Sequence, residues 1–194
     1  MDVGLYFGSF NPIHVGHLII ANHVLIHSTL REVWFIISPQ NPLKASNTLL
    51  NEYDRLHLVN QAIEGDERLK VSNIEFQLPK PSYTSHTLIV LKEKYPKNVY
   101  TLIMGSDSFQ NLPKWRNYKS IISDYKLIVY ERPDFKIIND IHAKIEIMRA
   151  PLLEISSTYI RELINKNQSI KYLVPDKVEK EIELHRFYKS KKIS

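Results

Sequence analysis

Residues 8–17 read Gly8-Ser9-Phe10-Asn11-Pro12-Ile13-His14-Val15-Gly16-His17, a combination of residue types suited to holding an anion. Gly8 and Ser9 follow a short apolar run, Val3 to Phe7, and Pro12 stiffens the turn. The helix that follows begins near His14, so several backbone N–H groups converge beside a helix N-terminus, where they and the helix dipole favour negative charge. His14 and His17 are three residues apart and share one helical face, with Gly16 removing bulk between them. A phosphate there would meet both imidazoles and the helix end. The plain alternatives are cap or surface histidines, or a metal-binding pair. No Asp, Glu or Cys accompanies the pair, which weakens the metal alternative. The position directly after a first strand and glycine turn is where α/β sheets bind nucleotides.

A second candidate lies far downstream, in Ile155-Ser156-Ser157-Thr158-Tyr159-Ile160-Arg161. Ser157 or Thr158 at a helix N-terminus, with Arg161 one turn on, would form another anion site. Read alone, the segment is equally a plain helix cap, with Ser157 as cap and Glu162 in the early helix. Lys44 follows a proline-containing loop and could reach a phosphate as a mobile point charge, although a lone loop lysine is ordinarily solvated. Gly105 and Asp107 follow a strand end, where they could approach a nucleoside and bond its ribose; the alternative is a turn with an Asp cap. Trp115 offers a flat face for ring stacking, but tryptophan more often packs. His23 and His27, four apart, read as a polar helix face rather than a zinc pair.

Alternating strands and helices must position these groups. Val3 to Phe7, Glu32 to Ser38, Val71 to Phe76, Asn98 to Met104, Lys126 to Tyr130 and Ile145 to Met148 read as strands, with Leu152 to Ile155 as a further extended segment. Ile13 to Ser28, Glu52 to Glu64, Thr84 to Tyr95, Trp115 to Ser123, Ser157 to Ile164 and Asp176 to Tyr188 read as helices. The alternation predicts a Rossmann-like, doubly wound parallel α/β sheet with a small C-terminal helical part. At 194 residues the chain is sized for one domain over 1–194, with 157–194 as its C-terminal helical segment. There is no internal repeat, low-complexity block or linker.

Composition narrows the chemistry. The 43% hydrophobic and 24% charged residues are ordinary for a folded chain. With no cysteine, disulfide scaffolds, thiolate nucleophiles, cysteine-ligated zinc and iron–sulfur clusters are excluded, and a cytosolic location is expected. Polar residues His17, Asn22, His23 and His27 break the most apolar early stretch, so no membrane span or targeting signal is expected. The net charge of +5 and pI of about 9.2 permit an anionic partner without selecting one. Most of the surplus falls in residues 171–194, a basic final helix and tail running on from Lys189.

The first motif resembles the HxGH signature of the nucleotidylyltransferase superfamily, in the form found in bacterial nicotinate mononucleotide adenylyltransferases. The second is similar to that family's ISSTxIR motif, and two motifs about 140 residues apart in the right order are far more specific than either alone. Ser38-Pro39-Gln40-Asn41-Pro42-Leu43-Lys44, Ser82-Tyr83-Thr84, Gly105-Ser106-Asp107 with Trp115, Arg132-Pro133 and Tyr172-Leu173-Val174-Pro175 also resemble family segments. The sequence departs from the family pattern at Leu43, at His86 and across Gln77 to Pro81.

The resemblance implies transfer of AMP from ATP to nicotinate mononucleotide, with Mg²⁺ arriving on the ATP rather than in a protein metal site. It assigns Gly8, Ser9, Phe10, His14, His17, Gly105, Asp107, Ser157, Thr158 and Arg161 to ATP, with His14 and His17 catalytic. Lys44, Tyr83, Thr84, Trp115 and Arg132 fall to the acceptor. A phosphate monoester dianion needs no general base, which suits a site rich in His, Lys and Arg and free of paired carboxylates. Pantetheine-phosphate adenylyltransferase is the alternative inside the superfamily. A basic nucleic-acid-binding module is the alternative outside it, and would require a continuous basic stripe with interleaved aromatics; no nucleic-acid partner is expected.

Overall fold

The β-rich apolar runs become six strands of one sheet, β1 Asp2–Gly8, β2 Glu32–Ile37, β3 Leu69–Ser72, β4 Val99–Gly105, β5 Lys126–Tyr130 and β6 Ile145–Met148. The computed structural model describes residues 1–40, 49–151 and 153–189. Every strand pairing is parallel, in the order β3-β2-β1-β4-β5-β6. The chain therefore winds outward from β1 in one direction and from β4 in the other. The crevice between the carboxyl ends of β1 and β4 is the switch point, where neither connection covers the sheet end.

Side-chain alternation along the strands feeds two buried layers. Tyr6, Val33, Phe35, Ile37, Ile103 and Ile128 face α1 (Val15–His27), α2 (Glu52–Ile63), α6 (Ser157–Asn165) and α7 (Asp176–Leu184). Leu5, Ile36, Leu102, Met104, Leu127 and Val129 face α3 (Thr84–Lys94), α4 (Ser106–Gln110) and α5 (Tyr118–Asp124). Strands buried on both faces carry near-continuous apolar runs, as parallel sheets require. Ile160, Ile164, Val178 and Ile182, from the C-terminal helices, lie in the same buried layer as Tyr6 and Phe35.

The structure corrects several local expectations. The third strand ends at Ser72, and a 3₁₀ turn, Ile74–Gln77, follows, burying Ile74 and Glu75; continued pairing would have sent these side chains to opposite faces. The helix expected from Trp115 starts at Tyr118, because Asn117 adopts φ 56° and breaks the path, while Trp115 caps a 3₁₀ turn over Leu112–Lys114. Helix α4 was not expected; its five residues are too few for a periodic signal. Residues 153–155 form no strand, and α7 ends at Leu184 rather than Tyr188. Ser156, not Ser157, caps α6, its side chain accepting from the Tyr159 N–H at 3.1 Å. Lys44, Leu43, Leu152 and the tail beyond Lys189 lie outside the described residues.

Candidate active site

The β1–α1 turn is built on a sharp reversal. Phe10 sits at φ 44°, in the left-handed region that is costly for a residue with a Cβ. Its ring is buried edge-on against Tyr6, Phe35 and His17, and that packing offsets the backbone cost. Only the backbone of Phe10 is therefore left for a ligand. His14 follows as the N-cap of α1, with extended φ −145°.

Two contacts fix the histidine pair. The His14 N–H donates to His17 Nδ1 at 3.3 Å, and the two rings stack with centroids 3.7 Å apart. Since Nδ1 accepts, a neutral His17 carries its proton on Nε2, which makes that nitrogen the donor. A Cβ on Gly16 would lie 3.1 Å from His14 Nδ1, so the glycine gives the ring its room. His14 is buried, and its Nδ1 has no hydrogen-bond partner among the described residues. Burial, with the Arg132 charge adding to it, lowers the His14 pKa to about 4.

That shift gives a pH dependence with a definite sign. Between about pH 4 and the ordinary histidine range near 6.5, the unfolded chain binds a proton that folded His14 refuses. Stability should therefore fall as pH drops through this window, by up to about 3 kcal/mol. Urea midpoints at pH 5 and pH 7 should show the loss in the natural protein, and His14→Asn should reduce it. An equal pH slope in the variant would remove His14 as its source.

The second motif docks directly on the first. Arg161 Nη1 donates to the Asn11 carbonyl at 2.7 Å, and Ser157 Oγ donates to the Pro12 carbonyl at 2.8 Å. Arg161 Nη2 lies 3.2 Å from Thr158 Oγ1. The N-terminus of α6 and the N-terminus of α1 thus flank one turn, and two sets of backbone N–H groups and a guanidinium share one cleft. Such an arrangement can hold a polyphosphate.

Across the switch point, β4 ends at Gly105 and α4 begins at once. A Cβ on Gly105 would collide with the Asp107 carboxylate and come within 2.8 Å of Arg132 Nε, so glycine is what allows these two groups to meet. Arg132 Nε lies 3.3 Å from Asp107 Oδ1, and its Nη2 lies 3.2 Å from the Tyr130 hydroxyl. That hydroxyl in turn contacts Tyr6 Oη at 3.1 Å. Burial holds the Tyr6 phenol well above its ordinary pKa.

The far wall is organised by a carboxylate that the sequence did not single out. Glu75 is buried and accepts from Ser82 Oγ at 2.6 Å and Thr87 Oγ1 at 2.7 Å. These bonds tie the Ser82-Tyr83-Thr84 segment to the 3₁₀ turn after β3. Burial raises the Glu75 pKa, with the Ser82, Thr87 and Ser38 hydroxyls opposing it. Arg116 lies over the Tyr83 ring, 4.9 Å from its centroid.

Most of these groups line one cleft of about 850 Å³. It brings together Gly8, Ser9, Phe10, His14, His17, Gly105, Asp107, Tyr83, Thr84, Trp115, Arg132, Ser157, Thr158 and Arg161, every candidate except Lys44. Arg132, grouped with the acceptor residues from sequence, lines the cleft paired with Asp107. Sequence reasoning missed Glu75, Lys114 and Arg116, which line the same cleft. The only available signal was a carboxylate in an otherwise apolar run, Ile74-Glu75-Phe76. His23 and His27 lie with ring centroids 4.2 Å apart and planes tilted by 44° on α1. Among the described residues no group of three or more His, Asp or Glu side chains could hold a metal ion, and no helix is long and apolar enough to cross a membrane.

A parallel sheet with two helix N-termini and a guanidinium at its switch point is an architecture of nucleotide-binding folds, and the family model that matches residues 5–163, described as cytidylyltransferase-like, places the chain in the nucleotidyltransferase class. Within that class the chain belongs to the nicotinate-nucleotide adenylyltransferase family. It is 50% identical over 194 residues to a probable nicotinate-nucleotide adenylyltransferase of Flavobacterium psychrophilum, covering 97% of this chain and 100% of that one. It is 46% identical over 190 residues to the protein of the same description from Cytophaga hutchinsonii, covering 97% and 98%. The fold matches that of Plasmodium falciparum nicotinic acid mononucleotide adenylyltransferase complexed with NaAD. The TM-score is 0.82 at 21% identity, over 96% of this chain and 97% of that one.

Proposed function

We propose that this protein transfers the adenylyl group of ATP to nicotinate mononucleotide, forming nicotinate adenine dinucleotide and pyrophosphate. The observation that carries the reading is the docking of Arg161 and Ser157 onto the carbonyls of the His14–His17 turn, which makes one polyanion site from two motifs. The names of the family relatives support the same substrates.

In this reaction an oxygen of the mononucleotide 5′-phosphate attacks the α-phosphorus of ATP, the bond to the β-phosphate bridging oxygen breaks, and pyrophosphate leaves with that electron pair. No proton needs to be removed from the nucleophile. The protein's work is alignment and stabilisation of charge on the α-phosphoryl oxygens and the leaving group. His17 Nε2–H and the α1 N-terminus serve the α-phosphoryl group, with neutral His14 beside them. Arg161, Thr158 and the α6 N-terminus serve the β- and γ-phosphates. Gly105 and Asp107 take the adenosine, with Asp107 accepting from ribose hydroxyls.

The acceptor lies against Trp115, with Tyr83 and Thr84 at its ring carboxylate and Arg116 nearby; Lys44 is assigned to its phosphate by the family resemblance alone. The cleft residues that flank the phosphates are cationic or neutral, so they fit a Mg²⁺ carried by ATP and water rather than one held by protein ligands. When bound, that ion neutralises charge on the triphosphate and its leaving group. The cysteine-free composition fits reaction in the cytosol.

A pyrophosphate-release assay with ATP and Mg²⁺ tests the reading. Turnover is expected to be highest with nicotinate mononucleotide and weaker with nicotinamide mononucleotide. Turnover confined to phosphopantetheine would transfer the chain to the pantetheine-phosphate branch, and none with either pyridine mononucleotide would defeat the assignment.

A further inference from the structure

We propose that Arg55, on α2 and outside the substrate cleft, is the positioning residue that holds the ATP turn and the loop after β2 in register. Its side chain is wholly buried. Nη1 donates to the Ser9 carbonyl at 2.6 Å and the Ser38 carbonyl at 2.9 Å, Nη2 to the Pro39 carbonyl at 3.0 Å, and Nε to the Leu50 carbonyl at 2.9 Å. Among the described residues no carboxylate bonds it. A buried cation satisfied by neutral carbonyls alone is costly in solvation, and simple packing would be served as well by an apolar side chain.

The partners show what the cost secures. Ser9 belongs to the turn that precedes His14 and His17. Ser38 and Pro39 begin the connection after β2, and Leu50 ends it, so one planar guanidinium fixes both described ends of that connection against the turn. Leu50 is held a second time, its N–H donating to Asn11 Oδ1 at 3.1 Å, beside the Asn11 carbonyl that receives Arg161. From Ser38 the contacts continue through its hydroxyl to Glu75 and so to Ser82 and Thr87. Arg55 thus starts a polar chain beneath the cleft from the ATP turn to the acceptor segment. Lysine keeps the charge but lacks the flat fork that reaches four carbonyls in fixed directions.

This assignment rests on the adenylyltransferase reading, and the test separates the two. Arg55→Lys, Arg55→Gln and a control, Leu58→Ala, which opens the core from the same helix, are compared in the pyrophosphate assay. Folding is checked by circular dichroism and urea titration. Misregister between in-line partners lowers kcat, so both Arg55 variants should fold and lose about 10- to 100-fold in kcat. The KM values for ATP and for the mononucleotide should each move less than about threefold, and Leu58→Ala, though less stable, should keep a natural kcat. A kcat within twofold of natural for Arg55→Lys overturns the proposal. So does an equal kcat loss in Leu58→Ala, or failure of both Arg55 variants to fold, since either would make Arg55 a general prop. A natural protein that turns over no mononucleotide removes the functional reading, and this proposal with it.

Discussion

Replacing His17 with alanine is expected to lower kcat by about 10²- to 10³-fold, equivalent to about 3–4 kcal/mol, while leaving the KM for ATP within a few-fold. The direction follows from the tautomer. The His14 N–H occupies Nδ1, so the ring presents Nε2–H, and a donor aimed at charge that develops during transfer stabilises the transition state more than the ground state. Alanine also removes the side chain that caps the His14 N–H, so a fall in stability is expected alongside. His17→Glu separates the two effects. A glutamate at this third helical position can accept from the cap N–H, restoring stability, yet it brings a negative charge against the phosphate. Its kcat should be at least as low as that of the alanine variant. Recovery of kcat along with stability would show that capping, not phosphoryl stabilisation, is what His17 does.

Arg161→Ala is expected to raise the KM for ATP roughly tenfold to a hundredfold, the range for loss of about 1.5–3 kcal/mol of charge-assisted hydrogen bonding. Arg161 is half-buried and already committed to the Asn11 carbonyl, so its orientation is set before a ligand arrives. Arg161→Lys keeps the charge but gives up the simultaneous reach to Asn11 and Thr158, and should fall between the alanine variant and the natural protein. Titration calorimetry with ATP analogues would report the binding loss directly. If both variants bind ATP as the natural protein does while losing stability, Arg161 is only a strut between α6 and the turn.

The groups legible in the sequence were those that announce themselves by type and spacing. His14 and His17 on a helix start after a glycine turn, and Ser157-Thr158-Tyr159-Ile160-Arg161 at another, pointed to two anion sites, and the sheet follows the alternation of apolar runs closely. Arg55 gave no signal in the sequence and Glu75 only a faint one, for a physical reason. A guanidinium on backbone carbonyls has no partner side chain to pattern against, and a carboxylate satisfied by serine and threonine hydroxyls looks like any solvated acid. The pairing of Arg132 with Asp107 was likewise not legible, because it depends on two strand ends meeting at Gly105. The shift of the α6 cap from Ser157 to Ser156 has a similar cause: Ser157 is taken by the Pro12 carbonyl, a contact between segments 145 positions apart rather than along the chain.

The docking of Arg161 and Ser157 onto Asn11 and Pro12 also bears on when the site comes into being. Those contacts join residues separated by 150 and 145 positions, so the proposed polyphosphate site cannot form until the chain has been made through Arg161 and α6 has docked. Until then His14 and His17 sit on a half-built turn. ATP, binding only the finished arrangement, should then favour the closed ring of contacts over any state in which α6 has come away, by an amount that grows with the logarithm of its concentration. The nucleotide would in this sense be a clasp between the β1–α1 turn and α6, and the cell's ATP level would set how firmly it is fastened.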